Sequence, residues 1–325
     1  MDPLSDVLRV VRLSGAFFYA VRAVEPWRVE AVPATELAPR ILPETEHLIS
    51  YHIVTSGRCW GGLRGGTLNE LTAGDIVVFP HGDEHVMSSA PEGTEGTLTL
   101  ESTPDRYPHT VALGPGGSPT NTLVCGFLGC DRRPFNPLLA TLPPFVHVRG
   151  VSHGWIETFA AQVVEESRAK RAGAESVLTR LAELMFVEVL RRHLEQLPDD
   201  QSGWLAGLRD EYVGKALALL HADPRRSWTI EDLARETGLS RSAFAERFSQ
   251  RVGQSPIQYL AQWRMQIASG LLTSGGAKVA DVAEQVGYDS EAAFSRAFKK
   301  LVGASPTDWR RARQSSAAPA SVSVS

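Results

Sequence analysis

The chain has 325 residues, 43% of them hydrophobic and 22% charged, with a formal net charge of −4. This composition is typical of a globular protein, and the three cysteines argue against a disulfide-stabilised scaffold. No apolar run reaches the roughly 18 residues of a membrane span and nothing resembles a signal peptide, so we expect a cytoplasmic protein with no membrane partner. The length favours more than one domain.

Residues 1–150 are predicted to form the first domain, and most of this sequence is typical of β strands. Residues 49–54 and 76–79 are β-branched or aromatic runs, and they are bounded by glycine-rich turns at 61–62 and 65–66. Short strands separated by such turns predict an antiparallel β barrel or a double sheet.

A motif in residues 74–85 is more specific. Gly74, Pro80, Gly82 and His85 have the spacing of the second motif of the cupin jelly rolls, which this stretch resembles. In that family the glycine begins a strand, the proline and second glycine turn it, and the histidine points into the barrel. Residues 50–57, in the place of the first cupin motif, lack its His-x-His pair.

Four histidines, His47, His52, His81 and His85, are the nearby residues that could supply a neutral-imidazole site. Three interpretations stay open: a metal-bound cupin enzyme, a barrel that holds a sugar-like or small organic effector, and an unliganded structural barrel. We favour an effector pocket and expect neither a metal nor another cofactor. The residues predicted to line it are His52, Trp60, His81 and His85.

Residues 151–203 are predicted to be a helical connector. Its second helix, around 177–190, has a wide apolar band that predicts burial on more than one side. That burial is either intramolecular or against a second copy in a homodimer. The polar, breaker-rich residues 197–203 are predicted to be the interdomain linker.

Residues 204–314 are predicted to be an all-α domain with two helix-turn-helix copies, and residues 315–325 a disordered tail. The copies repeat at an offset of 49 to 50 residues, and in each a Phe pair at i, i+4 anchors the second helix. The helix predicted at 256–272 between them is about 25 Å long. A rigid spacer of that length would place two recognition helices in successive major grooves, roughly 34 Å apart.

The distribution of charged residues along the chain favours a nucleic-acid partner for this domain. Residues 204–313 carry 16 Lys and Arg against 12 Asp and Glu, whereas the rest of the chain carries 17 against 25. The net negative charge of the whole chain therefore hides a basic C-terminal third that could lie against phosphate.

The C-terminal hundred residues resemble the DNA-binding domain of the AraC/XylS family of bacterial transcription regulators. The matching text is Trp263-Arg264-Met265, Leu271-Leu272 and residues 279–306 with Gly287-Tyr288, Phe294, Phe298, Gly303 and Ser305-Pro306. The N-terminal half resembles the cupin-type sensor domains of one branch of that family. The resemblance implies a DNA-binding regulator without enzymatic activity, with a small-molecule effector and with RNA polymerase as a partner if it is an activator. The alternative is a metal-dependent cupin enzyme with an appended DNA-binding domain.

Carried over by position, the family's base-facing residues fall on both second helices. Alanine there offers only a methyl contact to thymine, and glutamate can accept from cytosine. Other basic residues on these helices are expected to contact phosphate, which positions the protein without specifying sequence. The base-facing set is Ser242, Ala245, Glu246, Glu291, Ala292, Ser295 and Arg296, and the phosphate set is Arg241, Arg247, Lys299 and Lys300.

Overall fold

The structure is a computed structural model that describes residues 2–11, 13–42, 45–92, 97–99, 109–130, 134–150, 153–169, 171–198, 200–274 and 276–316. The chain divides into two compact units. The β unit comprises Leu13–Asp131 and Leu142–Gln196, and the helical unit comprises Met1–Arg12, Arg132–Thr141 and Leu197–Ser325. The expected domain boundaries at residues 150 and 203 differ from this division, because two segments of the first 150 residues pack with the C-terminal helices. Most of the expected tail, residues 317–325, lies outside the described residues.

The β unit is built from two sheets. One has the strand order β11-β6-β3-β10-β1-β9, and the other has the order β5-β4-β7-β2-β8. The strands are β1 (Leu13–Ala23), β2 (Arg28–Ala31), β3 (His47–Ser56), β4 (Arg58–Leu63), β5 (Asn69–Thr72), β6 (Ile76–Phe79), β7 (His85–Ser88), β8 (Thr97–Thr99), β9 (His109–Leu113), β10 (Asn121–Cys130) and β11 (Val146–Val148).

The sequence predicts an antiparallel barrel or a double sheet, and the strand arrangement differs from a closed antiparallel barrel in two respects. Among the described strands neither sheet closes on itself, so the architecture is a double sheet. Two pairings, β1 with β9 and β2 with β8, are parallel. The reason is topological: β9 and β10 flank β1 and follow each other along the chain with one reversal between them. Since β10 is antiparallel to β1, β9 runs parallel to it.

The core of the β unit lies between the two sheets. Strand side chains alternate between faces, so Leu48 and Val54 of β3 and Met87 of β7 share one interior cluster. The glycine–aspartate pair of the sequence motif forms the turn before β6. Burial alone would raise the pKa of Asp75, but hydrogen bonds from His147, Thr72 and Gly150 lower it below its usual value. The ionised carboxylate thereby joins the turn at residues 72–75 to residues 147–150.

The connector is helical, as predicted, and its helices are α3 (His153–Ala169) and α4 (Ala174–Gln196). Both belong to the β unit, and both contact β1. Met185, Phe186 and Leu190 of α4 are buried, so one side of this helix packs within the chain. Val177 and Leu184 on the same helix remain exposed.

The helical unit begins with α1 (Pro3–Val11), which packs on two of the C-terminal helices, α6 and α9. A second segment from the N-terminal half also joins it, since the Phe135 N–H donates to Gln266 Oε1 at 2.9 Å. The remaining helices are α5 (Trp204–Arg209), α6 (Glu211–Ala222), α7 (Ile230–Thr237), α8 (Arg241–Val252), α9 (Pro256–Thr273), α10 (Val279–Gln285), α11 (Glu291–Val302) and α12 (Pro306–Ser316).

Candidate nucleic-acid interface

Two helix-turn-helix motifs are present where the sequence predicts them. Motif 1 (residues 230–252) consists of α7 and α8, and motif 2 (residues 279–302) consists of α10 and α11. Ser240 and Ser290 cap the second helices, since each hydroxyl accepts a hydrogen bond from a backbone N–H three residues on. These caps begin the recognition helices at defined residues and so set which side chains face outward.

The same aromatic packing holds both motifs. Phe244 and Phe248 of α8 and Phe294 and Phe298 of α11 are completely buried. Phe248 meets Tyr259 edge to face at 6.2 Å, and Phe298 meets Trp309 in the same way at 6.1 Å. Because each pair lies at i, i+4, it buries one stripe of its helix and leaves the opposite stripe outside.

The outer face of α8 carries the predicted contacts of motif 1. Ser242 and Glu246 are exposed and Ala245 is half-buried. Arg241 forms an ion pair with Glu231 at 2.7 Å, and Glu246 accepts a hydrogen bond from Gln250 at 3.1 Å. Arg241 and Glu246 therefore each have an exposed partner on the same motif.

The outer face of α11 is more basic. Glu291, Ala292 and Arg296 are exposed and Ser295 is half-buried, and Lys299 and Lys300 are exposed at the end of the helix. Within the described ranges, the side chains of Arg296, Lys299 and Lys300 make no ion pair. This helix presents three cations on one side, each available to a phosphate or a base edge.

In the β unit, two of the four predicted pocket residues are in direct contact. His52 of β3 and His85 of β7 face the interior from different sheets, and their Nε2 atoms are 2.8 Å apart. His85 Nδ1 lies 2.9 Å from the Asp83 carbonyl. A carbonyl only accepts, so Nδ1 of the neutral His85 carries the proton and its Nε2 accepts from His52 Nε2–H. The Phe79 ring is stacked on His85 with the centroids 3.9 Å apart.

This arrangement leaves His52 Nδ1 as a buried acceptor without a hydrogen-bond partner in the described chain. Burial lowers the pKa of His85 to about 4, although its hydrogen bond to the Asp83 carbonyl opposes the shift. Burial, followed by the neighbouring His85, lowers the pKa of His52 well below its ordinary value. Both imidazoles are therefore neutral at pH 7.

The other predicted pocket residues lie elsewhere. Trp60 is on the outer face of β4, since Cys59 belongs to the interior cluster and Gly61 faces Leu71 and Met87 there. His81 is in the turn after β6, with Nε2 at 2.9 Å from the Leu142 carbonyl oxygen. Strand alternation could have separated Trp60 from the histidines in the sequence, whereas only the pairing of two sheets brings His52 to His85.

In the part of the chain that the structure describes, no three His, Cys, Asp or Glu residues are arranged to hold a metal ion. His47 Nε2 lies 2.6 Å from the Pro80 carbonyl and takes no part in the His52–His85 pair. Cys59, Cys125 and Cys130 are buried thiols in core positions, and burial raises the pKa of Cys59 to about 12. The described donor set therefore does not fit a cupin metal.

Comparison with known proteins agrees with both units. A family described as cupin matches residues 2–195, and one described as a helix-turn-helix domain matches residues 233–312. The chain is 43% identical over 316 residues to an AraC-like transcription regulator of Streptomyces antibioticus, covering 96% of this chain and 99% of the relative. The chain belongs to the AraC family of transcription regulators.

Two further relatives match with the same extent. A Streptomyces lividans AraC-like transcription regulator is 34% identical over 316 residues, covering 96% of this chain and 98% of its own length. The transcriptional regulator AlkR of Acinetobacter baylyi is 29% identical over 317 residues, covering 96% and 99%. The protein is thus an AraC-type DNA-binding transcription regulator with promoter DNA as its partner. Within the described residues, no helix has the length and apolarity needed to cross a membrane.

One residue of the regulator has a structural partner that sequence reasoning missed. Arg247 Nε lies 3.0 and 2.9 Å from the two carboxylate oxygens of Asp210, and Arg251 Nε lies 3.3 Å from the same carboxylate. Asp210 also caps α6 by accepting from the N–H groups of Tyr212 and Val213. Burial would raise the pKa of Asp210, but these hydrogen bonds and the Arg247 charge lower it. Arg247 therefore joins α8 to α6, a contact with no signature in local sequence.

Replacing Asp210 with alanine is expected to destabilise the helical unit by about 2 kcal/mol. The variant loses a helix cap, which typically contributes ~1 kcal/mol, and leaves two arginines without their carboxylate. The side chain of Asp210 is only 2% exposed, but Arg247 is 44% exposed, so solvent screens part of the pair. Native-state hydrogen exchange of α6 and α8 amides measures the effect.

Two variants calibrate this measurement. Asp210→Asn keeps a cap acceptor and removes the charge, so it is expected to lose about half as much stability as Asp210→Ala. Glu236→Ala removes an exposed carboxylate of α7 and is expected to change stability by less than about 0.5 kcal/mol. Equal exchange in Asp210→Ala and Glu236→Ala would show that the Asp210 contacts contribute nothing.

Proposed function

We propose that the regulator reads a bipartite promoter site with both motifs and that a small molecule bound in the β unit controls this reading. The observation that carries the first part is the arrangement of α8 and α11. Each is capped, has a buried aromatic stripe and an exposed polar face, and both adjoin one helix, α9, of 18 residues. That helix is about 27 Å long, which suits two recognition helices in successive major grooves.

The exposed faces of α8 and α11 would make the contacts with DNA. Short side chains on both helices leave room for close approach, so much of the specificity would come from DNA shape rather than from base edges. Arg241, Lys299 and Lys300 would position the protein on phosphates. Arg296 is the strongest direct reader. The remaining base-facing positions are Ser242, Ala245, Glu246, Glu291, Ala292 and Ser295.

Replacing Arg296 with alanine is expected to weaken binding to the cognate site by about 1–3 kcal/mol. A duplex obtained by in vitro selection with the wild-type protein serves as the probe, and fluorescence anisotropy gives the affinity at fixed salt. Arg311→Ala is the matched control, because Arg311 is an exposed cation on α12 that forms an ion pair with Asp308. Equal losses in the two variants would mean that Arg296 contributes only general charge.

The sensing proposal is supported by the His52–His85 pair. A buried acceptor on His52 favours an effector that donates a hydrogen bond, such as a hydroxyl-bearing sugar or a small organic molecule. A thermal-shift screen of sugars and small organic molecules with the full chain tests this. An effector should raise the melting temperature of wild type and not that of His52→Phe. If no compound gives that difference, the effector does not bind at His52.

The assembly and the mode of regulation are further parts of the proposal. Exposed Val177 and Leu184 lie seven residues apart on one face of α4, and a second copy of the chain could cover them as a homodimer. Sedimentation of wild type and Val177→Ser/Leu184→Ser would show a dimer and its loss. A role as an activator that contacts RNA polymerase, in the cytoplasm where promoter DNA lies, rests on the family alone.

A further inference from the structure

Arg264 of α9 connects the spacer helix to the loop that precedes motif 1. Its Nε donates to the Pro224 carbonyl at 2.7 Å, and its Nη2 donates to the Arg226 carbonyl at 3.0 Å and the Arg225 carbonyl at 3.3 Å. Three consecutive carbonyls of residues 224–226 thus accept from one guanidinium. The planar fork of arginine satisfies several acceptors in a fixed geometry, which a lysine ammonium on a flexible stem does not reproduce.

The same loop touches motif 2. The backbone of Gly287, in the turn between α10 and α11, lies so close that a Cβ there would be 2.5 Å from the Arg225 carbonyl oxygen and 2.8 Å from its Cα. The neighbouring Tyr288 ring lies 5.6 Å from the guanidinium carbon of Arg264. Residues 224–226, which lead into motif 1, are therefore held between the spacer helix and the turn of motif 2.

The duplication provides an internal comparison. Gly238 is the equivalent turn residue of motif 1 and has nearly the same φ, 81° against 82° for Gly287. A Cβ at Gly238 would meet nothing within 4 Å. The close approach at Gly287 is therefore not a requirement of the turn itself. It belongs to the contact between motif 2 and the segment that leads into motif 1.

A second comparison comes from Arg310 of α12. It also donates to backbone carbonyls, those of Leu272 at 3.2 Å and Ala277 at 2.5 Å. Those acceptors lie at the end of α9 and in the loop before α10, so this arginine serves motif 2 only. Arg264 and Arg310 make the same kind of contact, and only Arg264 reaches the segment that enters motif 1.

We infer that Arg264, Gly287 and Tyr288 are positioning residues that fix the rotation of motif 2 relative to motif 1, and thereby the base-pair spacing that the regulator accepts between its two half-sites. The inference rests on the proposed two-motif reading of DNA. The spacer helix sets the distance between the motifs. The contact of residues 224–226 with motif 2 lies off the axis of that helix, so it resists rotation about it.

Spacing is a sensitive readout of this role. One inserted base pair turns the second half-site by about 34–36° and moves it by ~3.4 Å. A fixed pair of motifs then loses simultaneous engagement, and the gain from bivalent binding is lost with it. Motifs free to rotate retain part of that gain on the altered site.

The experiment uses the full-length protein and duplexes selected in vitro with wild type. Affinity is measured at constant salt on the selected duplex and on versions with one base pair added or removed between the half-sites. Wild type is expected to bind the altered duplexes about tenfold or more weakly. Arg264→Lys, which keeps the charge and loses the fork, is expected to reduce that ratio to about twofold, and Arg310→Lys to leave it unchanged. Circular dichroism and base preference within each half-site are measured for every variant.

A second pair of variants tests the same role in half-site spacing if Arg264→Lys does not fold. Gly287→Ala and Gly238→Ala carry the same backbone strain, but only Gly287→Ala is expected to change the spacing ratio. The inference is overturned if wild type discriminates spacing and folded Arg264→Lys, or Gly287→Ala in its place, discriminates equally well. If wild type selects a single half-site or no DNA at all, the two-motif function itself fails, and the inference fails with it.

Discussion

Replacing Phe294 with alanine is expected to lower the free energy of unfolding of the helical unit by about 3–5 kcal/mol. The ring is fully buried in the core of motif 2, 5.5 Å from the Phe298 ring and 5.6 Å from the Tyr288 ring. Its removal deletes the transfer free energy of a large apolar side chain and leaves a cavity between α9, α10 and α11. Those helices meet only in a small cluster, so little neighbouring chain is available to fill the space.

Hydrogen exchange of the α9 and α11 amides, measured under native conditions, reports this loss for the helical unit separately from the β unit. Leu301→Ala is the matched control. It is on the same helix and also shortens an apolar side chain, but Leu301 is 41% exposed, and its loss is expected to cost less than about 1 kcal/mol. Similar protection in the two variants would mean that the core face of α11 has been assigned wrongly.

Acidification is expected to destabilise the β unit through His85. Its pKa is about 4 in the folded chain, below the ordinary histidine value of 6.5 that we take for the unfolded chain, because burial disfavours the charged imidazolium. The unfolded chain therefore binds more protons between these values. The stability that comes from the neutral imidazole is complete above pH 6.5 and is lost as the pH falls towards 4. The loss is about 2 kcal/mol at pH 5 and about 3 kcal/mol at pH 4 from this group.

Exchange of β3 and β7 amides at several pH values, corrected for intrinsic exchange rates, measures this dependence in the β unit alone. His85→Phe retains a ring to stack on Phe79 and removes the titrating nitrogen, so its pH dependence in this window is expected to be smaller than that of wild type. A wild-type β unit equally stable at pH 7 and pH 5 would contradict the assignment. The buried His52 shifts in the same direction and adds to the effect.

The two helix-turn-helix motifs could be predicted from sequence because their determinants are local. A serine cap, a Phe pair at i, i+4 and a glycine with positive φ act within one or two helical turns, and the Phe pairs are buried where the sequence predicts them. The duplication strengthened each signal, since the same residues recur at a fixed offset. The buried stripe of each recognition helix also predicts its exposed face, which lies on the opposite side.

The interior of the β unit was less accessible to sequence reasoning. His52 and His85 could be placed on inward-facing positions, but their pairing depends on two sheets meeting face to face. Trp60 is predicted to line the same pocket, but the alternation along β4 places it on the other face. The two parallel pairings arise from the path of the chain between strands, which no short run encodes.

Local chemistry, then, was determined by the sequence itself: where helices begin and end, which stripe is buried, and which family the chain resembles. Tertiary structure decided which partner each charged or polar group meets. Arg247 reaches Asp210 37 residues away, and Arg264 reaches the Arg226 carbonyl 38 residues away. The physical reason is range: caps and helical periodicity act over a few residues, whereas a partly buried ion pair or a bridging guanidinium depends on elements that only folding brings together.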